Sequence, residues 1–395
     1  MLPVTDAFEF EYGDSDIVYG RGRIDGLGER LGERDLENAF VVCGTNVGAN
    51  DAVMDPVRRG LGDRLAGVFD ETTPAKSAET VFDGIEAMGD VDADVLVGVG
   101  GGSSLDIARQ MSVFAADGRP LSHFRSAARE GRAEPPATTE PLAPVVTVPT
   151  TFAGADFSSG GSIEVLPAEE SPTDQPIRTG GSVMPVEMLY DPDLFETTPF
   201  GALAGSAMNG FDKGIETIYA RDATPISDAA AVRGLRYLRT AFPRLPDDSA
   251  AMERAVVGII LVQFERRISV VHAFGHGFAR RYPVQQGAIH AIVVPHVLRF
   301  IFDRVHGKRE VLAEGLGVDA EGRSEAELAE AVVEEVTAVR DGLDLPTRLR
   351  DLDPVERDDF PDIAAFIVED HGMDRAPEGL DASAEAVETV LHEAW

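Results

Sequence analysis

The first half of the chain alternates short apolar runs with amphipathic segments. Alternating apolar residues over Phe8–Tyr12 and Asp16–Tyr19 predict paired strands. Continuous apolar runs at Ala39–Cys43, Val95–Val99 and Val145–Val148 predict buried strands, since both faces of such a strand are apolar. Strands that alternate with helical segments are typical of a mostly parallel α/β sheet.

Helical spacing of apolar residues fills the intervals between those runs. Ile24–Leu31 and Ser77–Met88 carry this spacing, and Leu105–Met111 can begin a further helix. The stretch Ala127–Glu140 is polar and contains prolines, so we expect a surface loop there.

The pattern changes after the segment that ends at Pro192. From Thr197 to the final segment Ser383–Trp395, the chain is a succession of helical patterns rich in Ala, Glu, Arg and Leu. Because 395 residues exceed the usual size of a single core, we expect two domains. The predicted fold is an α/β domain at residues 1–196 followed by an all-α domain at residues 197–395.

The most informative stretch is Val95–Asp106, which reads VLVGVGGGSSLD. A buried strand, a glycine turn and a helix start together form an anion-binding site. Glycines let the backbone approach a pyrophosphate closely, and a helix N-terminus offers unpaired N–H groups and a partial positive charge. A tight turn without a ligand is the alternative, because a glycine cluster alone is weak evidence.

Two further segments follow predicted strands. Gly44-Thr45-Asn46 stands where a fold that prefers NAD often places a carboxylate for the ribose 2′-hydroxyl, so the neutral residues favour NADP at least as much as NAD. After Val145–Val148, the hydroxyls of Thr150, Thr151 and Ser158 could contact phosphate or ribose, or could simply cap a helix.

Composition narrows the class of protein. The net charge is −34, and the chain has only three lysines, so its surface repels nucleic acid and anionic lipid. An acidic, lysine-poor chain that is still 44% hydrophobic suits a folded protein at high salt. Cys43 is the single cysteine, and we find neither a secretion signal nor a membrane-spanning run. We expect a cytoplasmic, salt-adapted protein that binds neither nucleic acid nor membrane.

The helical half contains a cluster of potential metal ligands. Asp212 and Glu216 are four residues apart, as are His272 and His276, so each pair shares one helix face. Half of the eight histidines fall between positions 272 and 296. Each of these residues alone is more often a core histidine or a surface carboxylate, but together they could bind a divalent metal.

Several motifs in one order resemble the iron-containing alcohol dehydrogenase family. They are GGGSSLD, PTTFAGADFS, YDPDL, GFDKGIE, VHAFGHGF and GAIHAIVVPH, and two of them are most similar to the maleylacetate reductase branch. The resemblance implies an N-terminal nucleotide-binding domain and a helical domain, the fold shared with dehydroquinate synthase. It also implies a cleft that holds NAD(P) and a small carbonyl or alcohol, and a homodimer.

The resemblance also assigns roles to residues. The positions that it places on the cofactor are Gly101, Gly102, Ser103, Asp106, Thr150, Thr151 and Ser158, and the strand-tip argument above adds Gly44. The positions of the metal ligands are Asp212, Glu216, His272 and Gln286, but the family usually has histidine where this chain has Glu216 and Gln286. An oxygen-rich set suits Fe²⁺ or Mn²⁺ better than Zn²⁺. A weakly held ion and a metal-free site therefore both stay open.

The sequence thus predicts an NAD(P)-dependent oxidoreductase that interconverts a small aldehyde or ketone and its alcohol. A metal would polarise the substrate oxygen, and without one His276 or His290 would act as the general acid. Two alternatives remain: a dehydroquinate synthase-like lyase that uses NAD transiently, and a nucleotide-binding protein that has lost catalysis. The scarcity of lysine argues against the lyase, which needs basic residues for a phosphorylated substrate.

The acidic surface generates a prediction about salt. Because the 69 acidic residues repel one another in dilute buffer, we expect activity to fall there and to recover as added KCl screens the charges. NADPH oxidation followed across a KCl series measures this dependence. Full activity retained for hours without salt would contradict it.

Overall fold

The computed structural model describes residues 8–245 and 248–395, with side chains from Glu11 onward. The chain forms two compact units, Met1–Thr198 and Pro199–Trp395. The first unit is a mixed α/β domain and the second is helical, so the predicted fold class is confirmed.

The first unit is built on a seven-stranded sheet and a small hairpin. The strands are β1 Phe8–Tyr12, β2 Ser15–Tyr19, β3 Ala39–Gly44, β4 Leu65–Thr72, β5 Val95–Gly100, β6 Val145–Pro149, β7 Ile163–Leu166, β8 Ile177–Thr179 and β9 Glu187–Tyr190. In the large sheet the order is β1-β2-β9-β6-β5-β3-β4, and β7 pairs with β8. Within the large sheet only β1 is antiparallel to its neighbour.

The helices are distributed over both units. In the first unit they are α1 Leu27–Gly32, α2 Thr45–Gly48, α3 Asp51–Leu61, α4 Ala78–Gly89, α5 Gly102–Asp117, α6 Leu121–Arg129 and α7 Pro192–Glu196. In the second they are α8 Phe200–Tyr219, α9 Pro225–Ala241, α10 Ser249–Gln263, α11 Val270–Arg281, α12 Gln286–Phe302, α13 Arg309–Leu316, α14 Glu325–Gly342, α15 Phe360–Glu369 and α16 Ala384–Glu393. Among the described residues, none of these helices is both long and apolar enough to cross a membrane.

The apolar runs occupy the centre of the sheet, as predicted. All six residues of β5 and all five of β6 are buried, because two hydrophobic clusters cover the two faces of the sheet. Alternate residues of β3 enter the two clusters: Val41 packs on one face, and Phe40 and Val42 pack on the other. This double coverage explains why these strands read as continuous apolar runs.

Two segments differ from the sequence prediction. Helix α5 begins at Gly102, three residues earlier than predicted, because Gly101 is still extended and the helix starts directly after it. The predicted loop at Ala127–Glu140 begins only after Arg129, since Ala127 and Ala128 are buried on α6. Strand β4 was not predicted, and its half-exposed position at the sheet edge leaves no clear alternation.

The strand order creates a switch point between β3 and β5. The connection after β3 leads to β4 on one side, whereas the connection after β5 leads to β6 on the other. In open parallel sheets, ligands bind at the carboxyl ends of the two strands where the direction reverses. Residues Gly44 and Gly100 end these strands, so the glycine turn lies at the position that the topology favours for a ligand.

Helices α8 and α12 pack with their backbones in direct contact. A Cβ atom on Gly287 would lie only 1.6 Å from the Gly205 carbonyl oxygen, so glycine is required there. Because this contact lies near the start of α12, it fixes the spacing between the helices that carry Asp212 and His290.

Candidate active site

Helix α5 begins directly after the glycine turn of the first unit, and no side chain caps its N-terminus. Gly100 has φ +126°, a backbone conformation that L side chains rarely adopt, and it leads from β5 into the extended Gly101. Helix α5 then runs for 16 residues without a side-chain cap at its start, whereas α4 is capped by Ser77. The first N–H groups of α5 are thus available to an anion.

The end of β6 lies beside this turn. The Thr150 amide donates to the Gly100 carbonyl oxygen at 3.0 Å, and a Cβ atom on Gly101 would lie 3.5 Å from the Thr151 methyl group. Thr150 is buried and Thr151 is partly exposed. The structure therefore brings both threonines to the glycine turn. Ser158 Oγ instead donates to the Gly160 carbonyl oxygen at 3.3 Å, within its own loop.

Asp106 has a structural role at the turn. Its carboxylate pairs with Lys76 Nζ at 2.9 Å and with Arg109 Nη2 at 2.7 Å. The same Arg109 nitrogen also donates to the Ala155 carbonyl oxygen at 2.7 Å, so Asp106 and Arg109 link α5 to the loop after β6. Sequence reasoning missed both cations, since neither belongs to a recognisable motif.

Polar side chains continue around the switch point. Ser104 Oγ and Thr72 Oγ1 are 2.8 Å apart, and a Cβ atom on Gly44 would lie 3.4 Å from Thr72 Oγ1. Gly44 therefore sits beside the first turn of α5, while Ser103 is partly exposed in that turn. Asp70 of β4 packs against Gly48, four residues beyond Gly44 along the chain.

The second unit contains a buried polar cluster on three helices. Asp212 and Glu216 lie on α8, His272 on α11, and His290 on α12. Asp212, Glu216 and His290 are fully buried, and His272 is 4% exposed. Glu216 of the first predicted pair thus faces His272 of the second, and His290, which the sequence analysis considered as a general acid and as part of the histidine cluster, lies beside Asp212.

Glu216 is engaged with His272 through both carboxylate oxygens. Oε1 accepts from the His272 backbone N–H at 2.9 Å, and Oε2 contacts Nδ1 of the His272 ring. A carboxylate on one ring nitrogen of a histidine is the usual way to orient its other nitrogen toward a metal. Glu216 thereby holds the His272 ring so that Nε2 points away from the Glu216 carboxylate.

Several atoms of the cluster that could bind a metal have no hydrogen-bond partner among the described residues. They are both carboxylate oxygens of Asp212, Nε2 of His272, and both ring nitrogens of His290. Asp212 Oδ2 and His290 Nδ1 are 3.2 Å apart without forming a well-aligned hydrogen bond. Unpaired buried polar atoms are costly, and oxygen and imidazole donors together fit a divalent cation such as Fe²⁺ or Mn²⁺.

Burial dominates the electrostatics of the cluster. It raises the pKa of Glu216 to about 7, and it raises that of Asp212 well above its usual value, with the charge of Glu216 adding to the effect. Burial also lowers the pKa of His290 to about 3 and that of His272 well below its usual range. His290 is consequently neutral near pH 7, the state in which an imidazole binds a metal.

Gln286 is hydrogen-bonded to Asn209. Its Oε1 accepts a hydrogen bond from Asn209 Nδ2 at 3.2 Å, which links α12 to α8. His290 lies one turn further along α12, and a Cβ atom on Gly275 would be only 2.2 Å from its Nε2. Glycine at position 275 therefore makes room for the His290 ring.

His276 lies at the edge of this cluster. Its ring centroid is 6.3 Å from that of His272, and its Nδ1 is 3.1 Å from a carboxylate oxygen of Asp370. Asp370 is buried, and burial alone would raise its pKa. The hydrogen bond and charge of His276 outweigh this effect, so the pKa of Asp370 is lowered and its carboxylate stays ionised. Since a carboxylate can only accept, Nδ1 of His276 is the donor. Sequence reasoning missed Asp370, which lies 94 residues from His276.

Comparisons with known proteins agree across both units. A family model for iron-containing alcohol dehydrogenase matches residues 14–192, and one for the C-terminal part of the Fe-containing alcohol dehydrogenase family matches residues 203–395. Over 350 residues the chain is 25% identical to the NAD-dependent methanol dehydrogenase of Bacillus methanolicus, covering 86% of this chain and 88% of that protein.

Two further proteins show the same relationship. Over 316 residues the chain is 26% identical to the maleylacetate reductase of Rhizobium sp. (strain MTP-10005), covering 78% of this chain and 80% of that protein. A crystal structure of 1,3-propanediol oxidoreductase matches the fold with a TM-score of 0.84 at 22% identity, covering 100% of both chains. The protein therefore belongs to the iron-containing alcohol dehydrogenase family, whose members are oxidoreductases of alcohols and aldehydes.

Proposed function

We propose that this protein is an NAD(P)-dependent oxidoreductase that interconverts a small aldehyde or ketone and its alcohol. The observation that carries the proposal is the uncapped start of α5 at the switch point between β3 and β5. An uncapped helix N-terminus behind a glycine turn favours a dinucleotide pyrophosphate. A bound nicotinamide would supply or accept the hydride.

The residues of the turn divide into two groups. Gly101, Gly102 and Ser103 present backbone to the pyrophosphate, and Thr150 and Thr151 line the neighbouring strand end. We assign Asp106 to holding the turn in place, since its carboxylate is paired with two cations. Ser158 is assigned to the cofactor by its position in a family motif, and Gly44 by its place at the tip of β3.

In the second unit we propose that Asp212, His272 and His290 hold a divalent ion. Such an ion would act as a Lewis acid on the substrate oxygen. Glu216 orients His272, and Gln286 ties α12 to α8 through Asn209. Both residues thus support the site rather than bind the ion, a different division from the one that family position alone implies.

Proton transfer is assigned to His276. Because its Nδ1 donates to Asp370, its Nε2 is the atom that can take a proton from an alcohol and return it during reduction. The ionised Asp370 stabilises the charged ring that forms in between. His290 is neutral and fully buried, so the role of general acid falls to His276.

A panel of small aldehydes assayed with NADPH in molar KCl tests the reaction. Steady oxidation of NADPH by at least one of them is the expected result. Cofactor binding without turnover of any aldehyde would instead support a protein that has lost catalysis.

Cofactor choice yields a second prediction. Gly44 leaves no carboxylate at the tip of β3, so NADPH should bind at least as well as NADH. Gly44→Asp should weaken NADPH binding by about tenfold or more, equivalent to about 1.4 kcal/mol. Dissociation constants from cofactor fluorescence measure this change. Gly44→Asn is the matched control, because it adds the same bulk without charge. A tenfold preference for NADH in the unaltered protein would contradict the hypothesis.

The proposed ligand set yields a third prediction. His290→Asn should reduce bound Fe²⁺ or Mn²⁺ to a small fraction of the wild-type content, because it removes one of three donors. His296→Asn, on the same helix, is the control and should leave the metal content unchanged. Metal content is measured by mass spectrometry after reconstitution and dialysis. Equal metal in His290→Asn and wild type, or no metal in either, would refute this assignment.

A further inference from the structure

A second group of metal-binding side chains lies outside the buried cluster. His276, Asp370 and His371 each offer one donor atom, and these three atoms lie within 4.8 Å of one another. His276 Nδ1 is 3.1 Å from Asp370 Oδ2, and His371 Nδ1 is 3.5 Å from Asp370 Oδ1. Ligand atoms that share one tetrahedral ion with bonds of about 2.0–2.1 Å are separated by about 3.3 Å. Asp370 Oδ1 lies 3.2 Å from His276 Nδ1 and 3.5 Å from His371 Nδ1, so two of the three pairs of ligand atoms already have nearly this spacing.

The protein holds the central carboxylate firmly. Asp370 is 6% exposed and accepts a hydrogen bond from the Gly372 backbone N–H at 2.8 Å, which caps the turn that begins at His371. An anchored, charged ligand needs little reorganisation to receive a cation.

The two imidazoles flank this carboxylate. Their rings are stacked, with centroids 5.4 Å apart and planes inclined by 21°. His276 is partly buried on α11, whereas the side chain of His371 is 63% exposed. An ion could therefore enter from solvent on the His371 side, and water could fill the position that the three protein ligands leave open.

We propose that His276, Asp370 and His371 form a binding site for a divalent transition-metal ion of the Zn²⁺ type, separate from the buried cluster of Asp212, His272 and His290. Two imidazoles and one carboxylate suit Zn²⁺, Co²⁺ or Ni²⁺ better than Mg²⁺ or Ca²⁺, which prefer oxygen alone. Binding requires the neutral His276 ring to carry its single proton on Nε2 instead of Nδ1, so that the Nδ1 lone pair can bind the ion. The net charge of −34 favours cation capture over the whole surface.

Occupation of this site has a consequence for the proposed reaction. The ion takes both His276 Nδ1 and the Asp370 carboxylate, which otherwise orient and stabilise the proton-transferring ring. Zn²⁺ should therefore slow the oxidoreductase. This effect rests on the proposed function, whereas the binding site itself does not.

Equilibrium dialysis of the full chain against Zn²⁺ tests the site directly. Wild type should retain one more equivalent of Zn²⁺ than His371→Asn, which removes an exposed ligand and leaves the fold unchanged. His306→Asn is the matched control, since His306 is also exposed and lies 3.1 Å from a carboxylate, that of Glu310. It should bind as much Zn²⁺ as wild type. Equal binding by wild type and His371→Asn would overturn the proposal, as would an equal loss in the control.

Two further arms separate this site from the buried one. In the His290→Asn background, the equivalent of Zn²⁺ that depends on His371 should persist, and its disappearance would show that there is only one site. Added Zn²⁺ should slow aldehyde reduction by wild type but not by His371→Asn, whose rate without Zn²⁺ should equal that of wild type. If no aldehyde is reduced, the proposed function fails, but the dialysis comparison still decides whether the site exists.

Discussion

The burial of Asp212 is the constraint on which the organisation of the helical unit depends. Its carboxylate is fully buried, and neither oxygen has a hydrogen-bond partner among the described residues. An isolated carboxylate in such surroundings costs several kcal/mol unless it is neutralised or paired with a cation. His290 Nδ1 lies 3.2 Å from its Oδ2, and the His290 ring packs against that of His272 with centroids 4.6 Å apart. The ion proposed for this cluster would supply the charge that the Asp212 carboxylate lacks.

The sequence predicted the centre of the sheet and the β1–β2 edge, but not the strand β4 at the opposite edge. β3, β5 and β6 are covered on both faces, so their apolar runs could be recognised without further context. β4 is half-exposed without clear alternation, and the strands β7 and β8 are only four and three residues long, too short for a period to be recognised. The start of α5 was misplaced by three residues, because helix initiation there depends on the extended Gly101 rather than on a capping side chain.

In the polar site, too, contacts within one helix could be predicted from the sequence, whereas contacts between elements could not. Spacing of four residues correctly placed Asp212 with Glu216 and His272 with His276 on shared helix faces. The partners of these residues could not be inferred, because they come from other elements. Asp370 reaches His276 across 94 positions, and Lys76 reaches Asp106 across 30. Such pairings arise from packing, and no periodicity in the sequence reports them.

The backbone contact between α8 and α12 bears on which ions the buried cluster can accept. Gly205 and Gly287 touch without any intervening side chain, so the two helices cannot move closer, and a flexible layer that could cushion a change in spacing is missing. Adjustment to ions of different radius then falls to rotation of the Asp212 carboxylate and the imidazole rings. Those rings have little freedom to rotate. The backbone of α11 at Gly275 lies close to the His290 ring, and Glu216 holds His272 by hydrogen bonding. The spacing of the main chain in α8 and α12 would thus determine which ionic radius fits, more than the side-chain ligands themselves would.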